Sequence, residues 1–344
     1  MQRSPFGVAV SEPRLAEAAS AALDRSGTAV DSCVAAFLMG AALWPSVALG
    51  AATVLTAGPG VGARCFEGPF LQPGKGAPRP RGFRDGDEIP SAATVGVSSA
   101  VVALYAAHAH DSTLPLRELA SPAVKVASSQ GFKGRASLLR AIGAGGPLAL
   151  REAGFVRELL DVAGRAVGGC VTEDDLRDAA AVVTPPDSHP RVLRSPRVDR
   201  QEARAALESF VVCACDSRGA IAVLHVTHDP NGMDVPTHDV KAPRVAVPVR
   251  RGVPRVTPGV CLGGPAPVAL VADDSGVVWC GAAFDSSTDV RLEGLGVDRE
   301  AGITMEQVLR DLLAQGSYGR GACAVIRPSA AGGTVRTLRL QGTA

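Results

Sequence analysis

Residues 209–232 read SFVVCACDSRGAIAVLHVTHDPNG. Phe210–Cys215 and Ala220–Val226 are continuous apolar runs of strand length. Asp216, Ser217, Arg218 and Gly219 between them supply the turn chemistry of a β-hairpin. The runs are continuous rather than alternating, which predicts strands covered on both faces, and hence an inner pair between two layers. Ser209 stands at the head of the first strand, a hydroxyl at the edge of a buried sheet.

Upstream of this hairpin the chain reads as mainly helical. Ser11 and Pro13 open a helix that runs to about Arg25 and stops at Ser26-Gly27. Thr28–Leu43, TAVDSCVAAFLMGAAL, is apolar almost all round and therefore a buried helix. Gly50–Thr56 and Val61–Phe66 read as strands around Gly58-Pro59-Gly60. Pro69–Asp87 is a Pro/Gly/Arg-rich loop. Helices are expected over Thr94–His110, Leu116–Ser128, Ala136–Ile142 and Leu148–Val167, and Thr172–Asp175 opens another with a capping-box-like start. Thr184–Arg200 reads as an exposed connector. Downstream the pattern turns to strands: a second hairpin over Val268–Ala272 and Val277–Gly281, and closing strands Cys323–Arg327 and Val335–Leu340. Met305–Gln315 adds one amphipathic helix. Helices first and strands later, with strand pairs between, predict an α/β layer structure with two sheets.

The 344 residues carry a formal net charge of +1, with charged side chains at 20%. Arginine is scattered, so no basic patch invites nucleic acid or an acidic membrane. The N-terminal stretch MQRSPFGVAVSEPRL has no apolar segment long enough for a signal peptide or a membrane span. The eight cysteines lie mostly in apolar runs without paired C-x-x-C spacing, which reads as buried reduced thiols in a cytoplasmic protein. Cys213 and Cys215 share one side of their strand, but no second ligand pair has fitting spacing, and no metal is expected. His225 and His228 point to opposite faces of a strand, and Asp229–Asp234 is more simply a turn, so His225, His228 and His238 make no metal set either. Gly58–Gly62 lacks the helix and Lys-Ser/Thr of a phosphate loop, and no cofactor is expected.

Leu23–Gly50, LDRSGTAVDSCVAAFLMGAALWPSVALG, resembles the gamma-glutamyltranspeptidase family, whose members carry a GGNAVDAAVAAALALGVVEP-like helix. Gly27, Ala29, Val30, Asp31, Val34, Ala35, Ala36 and Pro45 stand in the matching places. Gly168–Leu176, GGCVTEDDL, is similar to the family's GGxLTxEDLA stretch, and Val95–Gly131, with LPLRELASPAVKVASSQGF, is similar to the segment that lies between these two blocks. The resemblance implies a single domain over 1–344, helix-rich over residues 1–208 and strand-rich over residues 209–344. It implies a four-layer αββα sandwich of the N-terminal-nucleophile hydrolase type, in the α/β (α+β) class. It also implies a chain cut before a catalytic Thr, whose freed amine serves as its own base. Alignment of Asp216 and Gly219 with the family's TTHxSVVDxxGNAVSLT pattern puts Ser209 at the catalytic position.

Other stretches of the pattern differ. Phe210 and Val211 replace the Thr-His pair, Cys213 replaces a hydroxyl residue and Ala220 an Asn. Gly263–Val268 stands for the serine segment that holds the glutamyl group, and Gly281–Asp285 for the oxyanion glycines. Glu67 is found near where a substrate-gripping arginine belongs. These departures lead to the expectation of a catalytically degenerate, uncleaved scaffold whose partner is a second copy of the chain or another protein. The alternative is an active amidohydrolase or acyltransferase with Ser209 as nucleophile, a small gamma-glutamyl or other amide ligand, and a site near Ser209, His225, Gly263 and Gly264.

Overall fold

The computed structural model describes residues 6–78, 82–189, 192–194, 207–262, 268–272, 278–282, 320–327 and 334–341. Its strands in chain order are β1 (Gly7–Val10), β2 (Ala51–Ala57), β3 (Arg64–Gly68), β4 (Phe70–Leu71), β5 (Val97–Ser98), β6 (Val182–Thr184), β7 (Asp187–His189), β8 (Val192–Arg194), β9 (Glu208–Cys215), β10 (Ile221–His228), β11 (Met233–Val235), β12 (Val240–Ala242), β13 (Val268–Ala272), β14 (Val278–Ala282), β15 (Arg320–Arg327) and β16 (Thr334–Gln341). The helices are α1 (Ala16–Asp24), α2 (Ala29–Leu43), α3 (Ala100–Asp111), α4 (Leu116–Ser129), α5 (Lys133–Gly145), α6 (Ala153–Ala163) and α7 (Glu173–Arg177).

Two six-stranded antiparallel sheets form the centre, in the orders β1-β9-β10-β2-β3-β6 and β16-β15-β14-β13-β8-β7. The hairpin expected from residues 209–232 is β9–β10, closed by Cys215↔Ile221 and central in the first sheet. Period-2 alternation splits its apolar residues between two cores. Phe210, Val212, Ala214, Ala222, Leu224 and Val226 join the large core under the helices. Val211, Cys213, Cys215, Ile221 and Val223 pack between the sheets with Ala9, Leu55 and Cys65 of their own sheet and Val268 of the second. The unbroken apolar runs follow from that double burial. Three layers, helices on sheet on sheet, are thereby in place. The helix expected over Met305–Gln315 lies outside the described residues.

α2 lies on β9 and β10 with α1 and α4 around it, and 13 of its 15 residues are buried. Its N-terminus is a dense polar node. Thr28 and Asp31 form a capping box. The Asp31 carboxylate, fully buried, also accepts from the Thr113 N–H at 3.1 Å, the Thr113 hydroxyl at 3.2 Å and the Ser112 hydroxyl. Asp216 in the hairpin turn accepts from the Ala29 N–H at 3.2 Å, in the first turn of the same helix. It also accepts from the Arg218 and Ala220 N–H groups at 2.9 and 3.1 Å, and pairs with the Arg218 side chain, which reaches Asp111. Burial pushes the Asp111 carboxyl up despite that arginine.

Asp175 has the same role at α7. It caps with Thr172 and accepts from Gly74 N–H and Lys75 N–H at 2.8 and 3.0 Å, tying the 73–76 loop to the helix. The blocks that carry the family resemblance are thus the residues that tie helices to sheet and loop.

Three expectations need correction. Thr94–His110 is not one helix: a 3-10 turn (Ser91–Thr94) and β5 precede α3. The backbone there is bonded elsewhere, Ala246 N–H to Thr94 C=O and Gly96 N–H to Pro243 C=O, which leaves nothing for a helical ladder. Leu148–Val167 divides into a 3-10 turn (Gly146–Arg151), α6 and a second 3-10 turn (Arg165–Val167). The connector Thr184–Arg200 contains the antiparallel pair β7–β8, which extends the second sheet beside β13.

Candidate active site

Ser209 is the second residue of β9, half-buried, and its register partner on β10 is Thr227. Their hydroxyls lie 3.1 Å apart, within hydrogen-bond reach. Both residues share the face turned toward the second sheet, because alternation places them with Val211 and His225 rather than with Phe210 and Val226. The Thr227 hydroxyl is thereby placed to fix the Ser209 rotamer. The signal for Thr227 was present in the hairpin itself: with Cys215 opposite Ile221, equal steps back along one strand and forward along the other bring Ser209 to Thr227.

One pair deeper on the same face, Val211, His225, Thr53, Glu67 and Val182 follow one another across β9, β10, β2, β3 and β6. His225, Thr53 and Glu67 are 1%, 1% and 3% exposed. A band of polar side chains therefore runs through the space between the sheets, next to the Ser209–Thr227 pair. Glu67 contributes a carboxylate to that band. Gly263 and Gly264 lie outside the described residues. Among the described residues no group of three or more His, Cys, Asp and Glu side chains is placed to hold a metal ion.

On the opposite face, under the helices, the next residues along each strand meet one ring. Trp44, the C-cap of α2, stacks on Phe210 at 5.9 Å and on His228 at 6.2 Å between centroids. The His228 Nδ1 is paired with the Ser46 hydroxyl at 2.8 Å, and both residues are buried. Burial pushes the His228 imidazole down to about 4, against the opposing pull of Asp229. The folded chain therefore refuses the proton that the unfolded chain takes up near pH 6.5. Stability tied to neutral His228 is complete above that pH and lost as pH falls toward 4, by about 3 kcal/mol in all. Thermal unfolding at about pH 7 and about pH 4.5 is expected to show a drop about 2–3 kcal/mol smaller in His228→Gln than in the parent chain. Equal drops would refute this role.

The fold defined by these layers is that of the N-terminal-nucleophile hydrolases. Similarity among solved structures extends over nearly the whole chain. LmbA2991T421A superposes with a TM-score of 0.71 at 12% identity, covering 99% of this chain and 97% of its own. Cephalosporin acylase from Bacillus halodurans superposes with a TM-score of 0.67 at 12% identity, covering 98% and 96%. No family model and no curated protein sequence matches the chain.

Proposed function

We propose that this protein is an amide-bond hydrolase or acyltransferase of the gamma-glutamyltranspeptidase-like type, one domain over 1–344, with Ser209 as its N-terminal nucleophile. The observation that carries the reading is the Ser209 hydroxyl at the head of an inner strand, 3.1 Å from the Thr227 hydroxyl. Whole-length likeness to an acylase supports it.

Activation begins with the chain itself. The Ser209 Oγ attacks the Glu208 carbonyl, the amide nitrogen leaves as the Ser209 amine, and water hydrolyses the resulting ester. In turnover that amine accepts the hydroxyl proton while Oγ attacks the substrate amide, and it returns the proton to the departing amine. Water then releases the acyl group. Thr227 orients Oγ in both stages. Small amides are the substrate class. A gamma-glutamyl group is disfavoured, because the buried carboxylate of Glu67 stands in the polar band where the resemblance calls for a cation. Cys33, Cys65, Cys213 and Cys215 are buried in the apolar cores, where cysteine packs as a small hydrophobe, which supports a reducing, cytoplasmic setting.

The second reading, an uncleaved scaffold that binds another copy or another protein, is favoured by that same Glu67 and by apolar Phe210 and Val211. Intact mass spectrometry separates the two. Hydrolase chemistry gives fragments of 208 residues and the remaining 136 of 344, and the scaffold stays at 35.0 kDa.

A further inference from the structure

Phe210 and His228 are the neighbours, along their strands, of Ser209 and Thr227. Both point away from the hydroxyl pair and into one aromatic cluster around Trp44. The fit is close at two glycines. A methyl group on Gly40 of α2 would meet Phe210 Cζ at 3.0 Å. One on Gly50 would meet the Thr227 carbonyl oxygen at 2.7 Å and His228 Cβ at 3.4 Å. The 44–50 segment thus lies directly against the end of β10, and Ser46 bonds the His228 ring within it. Outside the cluster the Arg14 guanidinium covers Trp44 at 4.6 Å.

A chain cut before Ser209 would turn the start of β9 into a chain terminus, and strand termini fray unless something holds them. Here the second residue of the new chain is Phe210, 2% exposed and stacked under Trp44. Resting on the hydrolase reading, we propose that Trp44, Phe210, His228 and Ser46 form a positioning device: they clamp the ends of β9 and β10 from the helix side, so that the Ser209 and Thr227 hydroxyls remain paired on the other face. None of the four touches the reacting atoms: Phe210 and His228 act through the backbone of their strands, and Trp44 and Ser46 act through those two side chains.

The test uses the full-length chain with Trp44→Leu, Trp44→Phe and, as a control, Leu224→Ala on the same face of β10 but away from the cluster. Self-cleavage followed by intact mass is expected to slow about tenfold or more in Trp44→Leu and to stay within about threefold of the parent in Trp44→Phe, which keeps a stacking ring. Leu224→Ala should lower the melting temperature yet cleave at the parent rate. Cleavage of Trp44→Leu within about twofold of the parent overturns the proposal. If the parent chain does not cleave, the hydrolase reading fails separately, and amide hydrogen exchange decides the clamp. Trp44→Leu should then speed exchange at residues 209–211 and 227–228 about tenfold, with β2 unchanged. Uniform or absent acceleration would end it.

Discussion

Ser209→Ala is expected to leave a single 35.0 kDa chain under conditions where the parent gives two fragments. It should also lower amide hydrolysis by about 10⁴-fold or more, the usual cost of removing a nucleophile. Alanine keeps the strand and its ladder, since only the hydroxyl facing the second sheet is lost. The melting temperature of the uncut variant should therefore not fall. Ser209→Thr should retain cleavage, because its hydroxyl can occupy the same place opposite Thr227. Thr227→Val keeps volume and β-branching but removes the 3.1 Å partner. It is expected to slow cleavage roughly ten- to hundredfold, equivalent to about 1.5–3 kcal/mol. A parent chain that remains whole through days at neutral pH would sink the hydrolase and leave the scaffold reading standing.

Asp31→Ala is expected to be the most damaging single change to the fold. The carboxylate is fully buried and caps α2 while receiving the Thr28 and Thr113 N–H groups and two hydroxyls from the 112–113 turn. Alanine leaves the buried Thr28 N–H and the Thr113 N–H without that acceptor, while the Ser112 and Thr113 hydroxyls keep their second partners, the Leu114 and Ser26 carbonyls. Loss of a cap costs about 1 kcal/mol, and each buried donor left unmade about 1–3 kcal/mol more. We expect a loss of about 4 kcal/mol, or roughly 6 °C in Tm by differential scanning calorimetry. Asp31→Asn retains one acceptor oxygen and should cost about half as much. A loss under about 1 kcal/mol for alanine would show that the node is not what anchors α2.

The two predictions separate scaffold from chemistry, and so does the family resemblance. Asp31, Thr172 and Asp175 are the matched residues with the most hydrogen bonds, and all of them cap helices. Capping geometry admits few residue types, which fits these positions matching the family pattern where the stretches around Ser209 differ. That accounts for how plainly the fold could be read from 23–50 and 168–176, and how little those blocks say about substrate.

The sequence by itself determined the β9–β10 hairpin, the buried helix α2 and the placing of Ser209 at a strand head. Each depends on local chemistry: apolar period, a four-residue turn, a cap within one helical turn. Tertiary structure alone decided the rest. Residues 94–98 do not continue α3, since the 243–246 segment takes their backbone groups from far along the chain. β7 and β8 form because β13 offers an edge to pair with, which no pattern within 184–200 announces. The band of His225, Thr53 and Glu67 exists only through the registers of β10, β2 and β3. Trp44 meets Phe210 and His228 from far away in the chain, because α2 ends over β9 and β10 at the ends where those two rings lie. Alternation puts the Ser209 and Thr227 hydroxyls on the face opposite the Phe210 and His228 rings.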